Sequence, residues 1–490
     1  MIFRFIVMSG LLFGSLYAGA VEDGFEAYKK GDMQKAALLW HQAANAGDSV
    51  GLYNLGILYS EGTGVKKDPK MAVEYYNKAI EKGHIGALVN VGVMYENGNG
   101  VVRDYAKAMQ LYMKAADKGN SMAMDNIGVM YEYGEGTKKD ITKAIQWYEK
   151  AVENNSVTAL FSLALVYAKG KGVKKDPLKA KEYYSKCAEL GNADCQGNLA
   201  HIYRNGIGVK QDYKKAIELY KQASKSGSAL AKYNLAHMYM DGKGTVKDVI
   251  SAQAYLLESA QGGYATAQLE VAEMFEEGKG VETNHTEAMK WYMQAADNGN
   301  SIAQTFVGFA YFTGDKGLKK NLYQAMQYFQ SAADAGNIDA QRNLGIIYKD
   351  GLNGVKKDLD KSIFWFKKAV LKGDGDSLYS IGQIYGYKKQ YKETVSWYKR
   401  AIKQGSTLAE SAMGRLYETG RGTKKDLKKA LNLYIKSAKK GDVTAQYYLS
   451  LMYYDGRGTK KDRKKAKKWM KKCAKQGDTD AKRFLAKNKF

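Results

Sequence analysis

The sequence predicts an all-α solenoid built from antiparallel helix pairs, and three observations support this prediction. One small residue returns every 36 residues, with two gaps of 37 and one of 32. Each period holds two amphipathic helical stretches joined by a glycine-rich loop, as expected of a solenoid whose units pack only on their neighbours. The chain has only two prolines in 490 residues, so no proline-rich linker interrupts it. The recurring small residue stands at Gly56, Gly92, Gly128, Ala164, Ala200, Ala236, Ala272, Gly308, Gly345, Gly382, Gly414, Ser450 and Ala486.

The first helix of each unit, called helix A here, is indicated by an amphipathic stripe that an aromatic residue closes. In the second full unit this stripe contains Ala87, Gly92 and Tyr95. The paired glycines that follow in each unit, such as Gly62 and Gly64, are expected to end helix A in a turn. A phosphate-binding loop of similar composition would have to follow a strand, and the pattern indicates none.

The second helix, called helix B, is expected to begin after an Asp such as Asp104, which can cap the first free backbone N–H groups. The two prolines, Pro69 and Pro177, each follow such an Asp at the first helical position, where proline is tolerated. Helix B places a small residue four positions before an aromatic, as in Ala108 and Tyr112, so that neighbouring helices can approach closely. The capping acids are therefore expected to be structural.

The beginning of the chain departs from the repeat. A positive start and a short apolar run from residue 5 to 16 precede three small residues at 18–20. This pattern predicts a signal peptide at residues 1–20 with cleavage near Ala20, before Val21. A buried N-terminal helix is the alternative. The mature chain is expected to be periplasmic or secreted, and it contains no apolar run long enough for a membrane span.

The repeat unit is nearly intact from Gly51 to Gly83, with Asn-Leu-Gly-x-x-Tyr, a Gly-x-Gly loop, an Asp cap and a Tyr-rich helix ending in Gly. It resembles the Sel-one-like repeat, a longer-looped relative of the tetratricopeptide repeat. The resemblance implies a right-handed α/α superhelical solenoid of about 12–13 helix-pair repeats. It also implies binding of proteins or peptides, often as an adaptor. The unit around Gly382 lacks the Gly-x-Gly loop and is similar to an ordinary tetratricopeptide turn.

The domain organisation follows from these patterns. After the signal peptide we expect a partial N-terminal repeat at 21–47, a repeat solenoid at 48–420, and strongly basic repeats with a capping helix at 421–490. No cofactor and no metal are expected, because the five histidines fall in different units and lack ligand spacing.

Two of the three cysteines stand where neighbouring units have alanine. Cys187 lies late in a helix B and Cys195 lies early in the next helix A, so the two positions are expected to face each other across a short turn. A disulfide and a pair of free buried thiols are the alternatives. Cys473 repeats the helix B position, but Ala481 occupies the place of its partner. The run from 187 to 195 also resembles the disulfide of the cysteine-rich Sel-one-like proteins of Helicobacter, which implies an activity on β-lactam or peptidoglycan.

The Asn that precedes Leu-Gly in helix A is the candidate ligand-binding position. The family resemblance implies that helix A lines a concave groove, and a row of amides there could grip an extended peptide backbone. The alternative is that each Asn bonds only the neighbouring helix. The candidate groove residues are Asn54, Asn90, Asn126, Asn198, Asn234 and Asn343.

Charge suggests a second surface. The formal net charge is +25, and residues 421–490 hold 23 Lys or Arg against six Asp. Such a surface attracts anionic partners, for example a glycan or an envelope component, although a solvated cap is the alternative. No base-reading motif appears, so no specific nucleic acid is expected. The basic patch comprises Lys460, Lys461, Arg463, Lys464, Lys465, Lys467, Lys468, Lys471 and Lys472.

Taken together, these patterns predict an exported, non-enzymatic bacterial repeat protein that binds a peptide, a host protein or an envelope protein in its groove. One alternative is an envelope binder or β-lactamase-like hydrolase acting on β-lactam or peptidoglycan. Ser437-x-x-Lys440 matches one element of such enzymes, yet it lies at ordinary repeat positions. The other alternative is an adhesion or virulence factor that binds an anionic ligand.

Overall fold

The computed structural model describes residues 18–487 and confirms the all-α prediction. Over these residues the chain forms 27 α-helices and a short 3-10 turn at Leu352–Gly354, with no strand. Most of the predicted signal peptide lies outside the described residues, and only residues 18–20 fall within them, at the start of the first helix.

The chain divides into two compact units, Met1–Tyr255 and Leu256–Phe490. The helices of the N-terminal unit are α1 (Ala18–Lys29), α2 (Met33–Asn45), α3 (Ser49–Glu61), α4 (Pro69–Glu81), α5 (Ile85–Asn97), α6 (Tyr105–Ala116), α7 (Ser121–Tyr133), α8 (Ile141–Glu153), α9 (Val157–Lys169), α10 (Pro177–Glu189), α11 (Ala193–Asn205), α12 (Tyr213–Lys225) and α13 (Ala229–Asp241). The division falls inside α14 (Val249–Gln261). The helices of the C-terminal unit are α15 (Ala265–Glu277), α16 (His285–Asp297), α17 (Ser301–Thr313), α18 (Leu322–Asp334), α19 (Ile338–Asp350), α20 (Leu359–Leu371), α21 (Gly375–Tyr387), α22 (Tyr391–Lys403), α23 (Thr407–Thr419), α24 (Leu427–Lys439), α25 (Val443–Asp455), α26 (Arg463–Lys475) and α27 (Thr479–Lys487).

In each unit the odd-numbered A helices pack on the even-numbered B helices that follow them. The first helix pair consists of α1 and α2. The predicted partial repeat at 21–47 contains all of α2 and all of α1 except its first three residues. The indole Nε1 of Trp40 on α2 donates to the Val21 carbonyl on α1 at 3.3 Å, and the Trp40 and Phe25 rings pack edge to face. The boundary proposed at residue 420 rests on charge and stays a prediction.

The ends of the helices follow the predicted chemistry. Asp104 accepts a hydrogen bond from the Lys107 backbone N–H at 2.9 Å and so caps α6. Gly134 ends α7 in a left-handed conformation with φ of 78°, which a residue without Cβ adopts at little cost. The B helices whose Asp or Asn cap accepts in this way also include α2, α4, α8, α10, α12, α16, α18, α20, α24 and α26.

Close packing of A on B explains the recurring small residue. Gly128 on α7 lies against the fully buried ring of Tyr148 on α8. A Cβ added at Gly128 would stand 2.5 Å from Cε1 of that ring, far inside van der Waals contact. A small residue at this position of helix A therefore leaves the space that the helix B aromatic ring fills.

This packing predicts that Gly128→Val destabilises the protein. The added side chain would collide with the buried Tyr148 ring, and such overpacking typically costs about 1–3 kcal/mol. Gly197→Val is the matched control, because Gly197 is also helical but a Cβ there meets no atom within 4 Å. Urea unfolding followed by circular dichroism checks both variants. Equal effects of the two substitutions would contradict the packing account.

Candidate binding groove on the A helices

A cavity of about 240 Å³ lies among α5, α7, α8 and α9 in the N-terminal unit. Val129 on α7 and Phe161 and Leu165 on α9 form much of its apolar wall, and all three are half-buried. Its polar wall contains Asp125, Asn126, Thr158, Ser162, Glu132 and Lys171. Apolar walls with a few polar groups are typical of ligand pockets.

The first three residues of the predicted Asn row are buried in the A helices. The exposed fractions of Asn54, Asn90 and Asn126 are 1%, 4% and 4%. Within residues 18–487, neither amide atom of Asn54 has a hydrogen-bond partner, and the same holds for Nδ2 of Asn126. Only Asn126 also lines the cavity. A buried amide without a partner is costly, so these groups need a water or a ligand.

The other three predicted Asn residues are placed differently. Asn198 donates to the Asp194 carbonyl of its own helix at 2.8 Å, and Asn234 donates to the Leu230 carbonyl at 3.0 Å. The Asn234 Oδ1 also accepts from Nη1 of Arg204 at 2.8 Å. Asn343, in the C-terminal unit, is half-buried on α19. The six residues therefore differ in surroundings, and their role in binding stays a prediction.

A buried carboxylate organises one end of the cavity. Glu132 accepts hydrogen bonds from the Tyr148 hydroxyl at 2.9 Å and from Nζ of Lys171 at 2.6 Å. Burial and the adjacent Glu132 carboxylate raise the pKa of Tyr148 well above its usual range. Burial disfavours the charge on Lys171, but the contact with Glu132 outweighs it and raises the pKa of Lys171. The pair is thus an ammonium–carboxylate contact at the cavity wall.

Sequence reasoning missed this arrangement, although it recurs. Tyr434 donates to Glu418 at 3.0 Å, and Arg457 of the next loop pairs with the same carboxylate. The signal was present as a Glu directly after the helix A aromatic, followed one unit later by Gly-Lys-Gly or Gly-Arg-Gly. The paired loop glycines predict a turn, and that prediction assigns no role to the basic residue between them.

The basic patch residues lie on α26 and on the loop before it. All of them are exposed except Lys467, which is half-buried. Lys465 pairs with the capping Asp462 at 3.3 Å, and Nζ of Lys472 lies 4.8 Å from the centre of the Trp469 ring. These contacts neutralise few of the charges, so the patch is strongly positive.

The predicted cysteine pairing is confirmed. A disulfide joins Cys187 on α10 to Cys195 on α11, with the Cα atoms 5.7 Å apart, and both residues are fully buried. Cys473 on α26 is a free, buried cysteine whose thiol donates to the Val443 carbonyl at 3.4 Å. Burial raises the pKa of the Cys473 thiol to about 12.

These environments predict how the cysteines react with iodoacetamide near neutral pH. The folded protein takes up no label, because the raised pKa keeps Cys473 as the unreactive thiol. After denaturation without reductant one cysteine is labelled, and with reductant all three are labelled. Intact-mass spectrometry counts the labels. Three labels without reductant would contradict the disulfide.

Over the described part of the chain, two further kinds of site are missing. No helix there combines the length and apolar character that a membrane crossing requires. No group of three or more His, Cys, Asp or Glu is placed to hold a metal ion within residues 18–487.

Comparison with known proteins extends the geometric description. The Sel1 repeat family matches the chain in twelve segments, at residues 16–48, 49–84, 85–120, 121–156, 157–192, 193–228, 229–264, 265–300, 301–337, 338–374, 407–442 and 443–478. A tetratricopeptide repeat matches residues 375–404, in the unit that lacks the Gly-x-Gly loop. Comparison with curated proteins found no match.

Solved structures similar to this chain include a protein with an SLR fold and a Sel1 repeat protein. The protective antigen of uropathogenic Escherichia coli that displays an SLR fold is 29% identical over 91% of this chain and 88% of that chain, with a TM-score of 0.48. A Sel1 repeat protein from Oxalobacter formigenes is 34% identical over 49% of this chain and 99% of that chain, with a TM-score of 0.45.

The capped, antiparallel helix pairs define a helix-pair repeat protein. Repeats of this kind mediate protein–protein interaction. Because the twelve matches cover most of its length, the chain belongs to the Sel1 repeat family.

Proposed function

We propose that this protein binds a peptide segment of a partner protein at the cavity among α5, α7, α8 and α9. The observation that carries the proposal is the cavity itself, in which Val129, Phe161 and Leu165 offer apolar contact beside hydrogen-bonding groups. An apolar side chain of the partner enters this space, and its backbone meets Asn126 and Ser162 at the wall. Apolar pockets supply affinity while a few polar groups fix orientation.

The unpartnered amide group of Asn126 supports the same proposal. Leaving a buried donor such as Nδ2 of Asn126 unsatisfied costs about 1–3 kcal/mol. A carbonyl of the bound peptide that accepts from this donor removes that cost. The cavity therefore favours ligands that present a backbone carbonyl next to an apolar side chain.

Selection of short random peptides displayed on phage tests this proposal with the full chain as bait. Peptides selected on the natural protein are expected to bind the Leu165→Lys variant at least about tenfold more weakly, which is about 1.4 kcal/mol. Leu178→Lys is the matched control, since Leu178 is exposed on α10 and outside the cavity. Equal binding to both variants would show that the cavity is not the site.

We also propose that the basic patch on α26 binds an anionic glycan or envelope component. The exposed lysines of the patch support this proposal. Because salt screens the attraction between exposed charges, the salt concentration needed to release a bound anion measures the contribution of these lysines. Replacing Lys464, Lys468 and Lys471 by Gln is expected to lower the salt concentration that elutes the full chain from heparin. The same change at Lys66, Lys67 and Lys70 is the control. If neither set of substitutions changes the salt concentration at which the protein elutes, the patch does not bind anions.

The third proposal is export with cleavage before Val21, which the small residues at 18–20 support. A full-length chain produced in a bacterium with a periplasm is expected to appear there with Val21 as its first residue. N-terminal sequencing and intact mass check this. Ala18→Lys with Ala20→Lys is expected to block processing. An unprocessed natural chain retained in the cytoplasm would contradict the proposal.

A further inference from the structure

A second cleft lies along α18 in the C-terminal unit, bordered by α16, α17 and α19. Its volume is about 730 Å³. Most of its lining comes from a single helix, which contributes Tyr323, Gln324, Gln327, Tyr328 and Gln330. The cleft does not share a lining residue with the cavity described above.

The cleft is poor in charge within a very basic chain. The protein has 76 Lys and Arg, yet none of them lines the cleft, and Leu322 to Ala333 contains no charged residue. By comparison, the equivalent helix α26 contains eight Lys or Arg. The one carboxylate on the wall, Asp297, accepts from the Tyr328 hydroxyl at 2.8 Å. A nucleic acid or an anionic glycan would meet no cation here.

Aromatic rings and neutral amides take the place of the missing charges. Tyr323 is 70% exposed on the first turn of α18, and its hydroxyl accepts from Nε2 of Gln327 at 2.9 Å. Nε2 of Gln330 donates to Asp334 at 2.8 Å, which orients a second amide along the same helix. Each amide carries both a donor group and an acceptor. An exposed ring is thus flanked by uncharged hydrogen-bonding groups.

The wall also holds a buried acceptor without a partner. Gln304 is 9% exposed, and its Nε2 donates to the Ala296 carbonyl at 3.0 Å. Its Oε1 has no partner among the described residues. The corresponding oxygen of Gln268 accepts from Asn298, the C-cap residue of α16, at 2.9 Å. The C-cap residue of α18 is Ala335, whose side chain cannot donate. The cleft therefore retains an unused acceptor beside its neutral lining.

We infer that this cleft binds a short, uncharged oligosaccharide. A sugar ring presents an apolar C–H face, which suits the exposed face of Tyr323. Its hydroxyls both donate and accept, which suits Gln327, Gln330 and the neighbouring amides. The lack of lining cations disfavours anionic glycans. Polar and apolar groups share the wall of the cleft, which suits a ligand that carries both hydroxyls and a C–H face. This site is independent of the peptide-binding proposal, since it uses other residues.

Titration of the full chain with defined sugars tests the inference. The probes are the β-1,4-linked trimer of N-acetylglucosamine, maltotriose and cellotriose, with a heparin-derived oligosaccharide as the anionic comparison. Saturation-transfer NMR detects contact, and calorimetry gives the Kd. At least one neutral trimer is expected to bind with a Kd that does not change with salt, because no ion pair contributes.

Variants locate the binding. Tyr323→Ala and Gln327→Ala are each expected to weaken the neutral sugar at least about tenfold, and Tyr323→Phe is expected to retain most of the binding. Tyr387→Ala removes another exposed tyrosine of the same unit and serves as the control. The inference is overturned if no neutral trimer binds, if Tyr323→Ala leaves the Kd unchanged, or if heparin binding depends on Tyr323.

Discussion

Lowering the pH from about 6.5 to about 4 destabilises the first repeats through one histidine, and His84→Asn removes that part of the acid sensitivity. His84 is the residue directly before α5 and caps it, because its Nδ1 accepts from the Ala87 backbone N–H at 3.2 Å. Its ring also stacks on Tyr53, with 4.1 Å between centroids. The cap requires the unprotonated nitrogen. Protonation therefore conflicts with the folded arrangement.

The direction of the effect follows from the pKa values. Burial lowers the pKa of His84 to about 4, although the nearby Asp48 opposes the shift. Lys114, Asp117 and Lys118 line the same small cavity as the ring. In the unfolded chain the pKa of histidine is about 6.5. Above that pH both states are neutral, and below it the unfolded state gains a proton first. The loss grows as the pH falls and reaches about 3 kcal/mol near pH 4.

The variant isolates this contribution. Asn caps other A helices in the same way, as Asn120 does by accepting from the Ala123 N–H at 2.9 Å, so His84→Asn keeps the cap and removes the titration. Urea unfolding of the natural chain and the variant at a series of pH values gives the difference. His285→Asn, at an exposed histidine, is the control. Parallel pH profiles for the natural chain and His84→Asn would refute the assignment.

The sequence predicted those parts of the fold that each repeat determines internally. The caps, the glycine turns and the contact between Gly128 and Tyr148 each involve residues within one 36-residue unit, so their spacing is visible in the repeat. The disulfide was predictable for a similar reason. Cys187 and Cys195 replace residues that are alanines in the neighbouring units, and the repeat places these positions on either side of a short turn. The period therefore fixes local contacts well.

The candidate site was predicted less well, because its key contacts join different units. Lys171 reaches Glu132 across 39 residues, which depends on how successive units stack. The cap formed by His84 was also not predicted, since the histidines were considered only as metal ligands. The six Asn residues occupy the same repeat position in the sequence, yet neighbours such as Arg204 change the environment of Asn234. Side chains that vary between units decide these differences.

Removal of the disulfide is expected to destabilise the repeats around α10 and α11 by about 2.5 kcal/mol. The bond closes a loop between residues eight apart, and the chain-entropy description assigns about this value to a loop of such a length. The double variant Cys187→Ala with Cys195→Ala is a clean test, because neighbouring units place buried alanines at the same positions, for example Ala151 and Ala159. The helix packing is therefore retained while the covalent bond is lost.

Hydrogen exchange measured by mass spectrometry reports this loss locally, which suits a repeat protein whose stability is a sum over units. Peptides from α10 and α11 are expected to exchange faster in the double variant, while peptides from α24 and α25 are unchanged. Cys473→Ala is the control for loss of a buried thiol.

Because disulfides persist in oxidising compartments, the natural chain kept in a reducing cytoplasm is expected to exchange like the double variant. Faster exchange of the natural chain from the cytoplasm than of the natural chain from an oxidising compartment would therefore link the stability of these repeats to export. Identical exchange in the natural chain and the double variant would show that the bond contributes no stability.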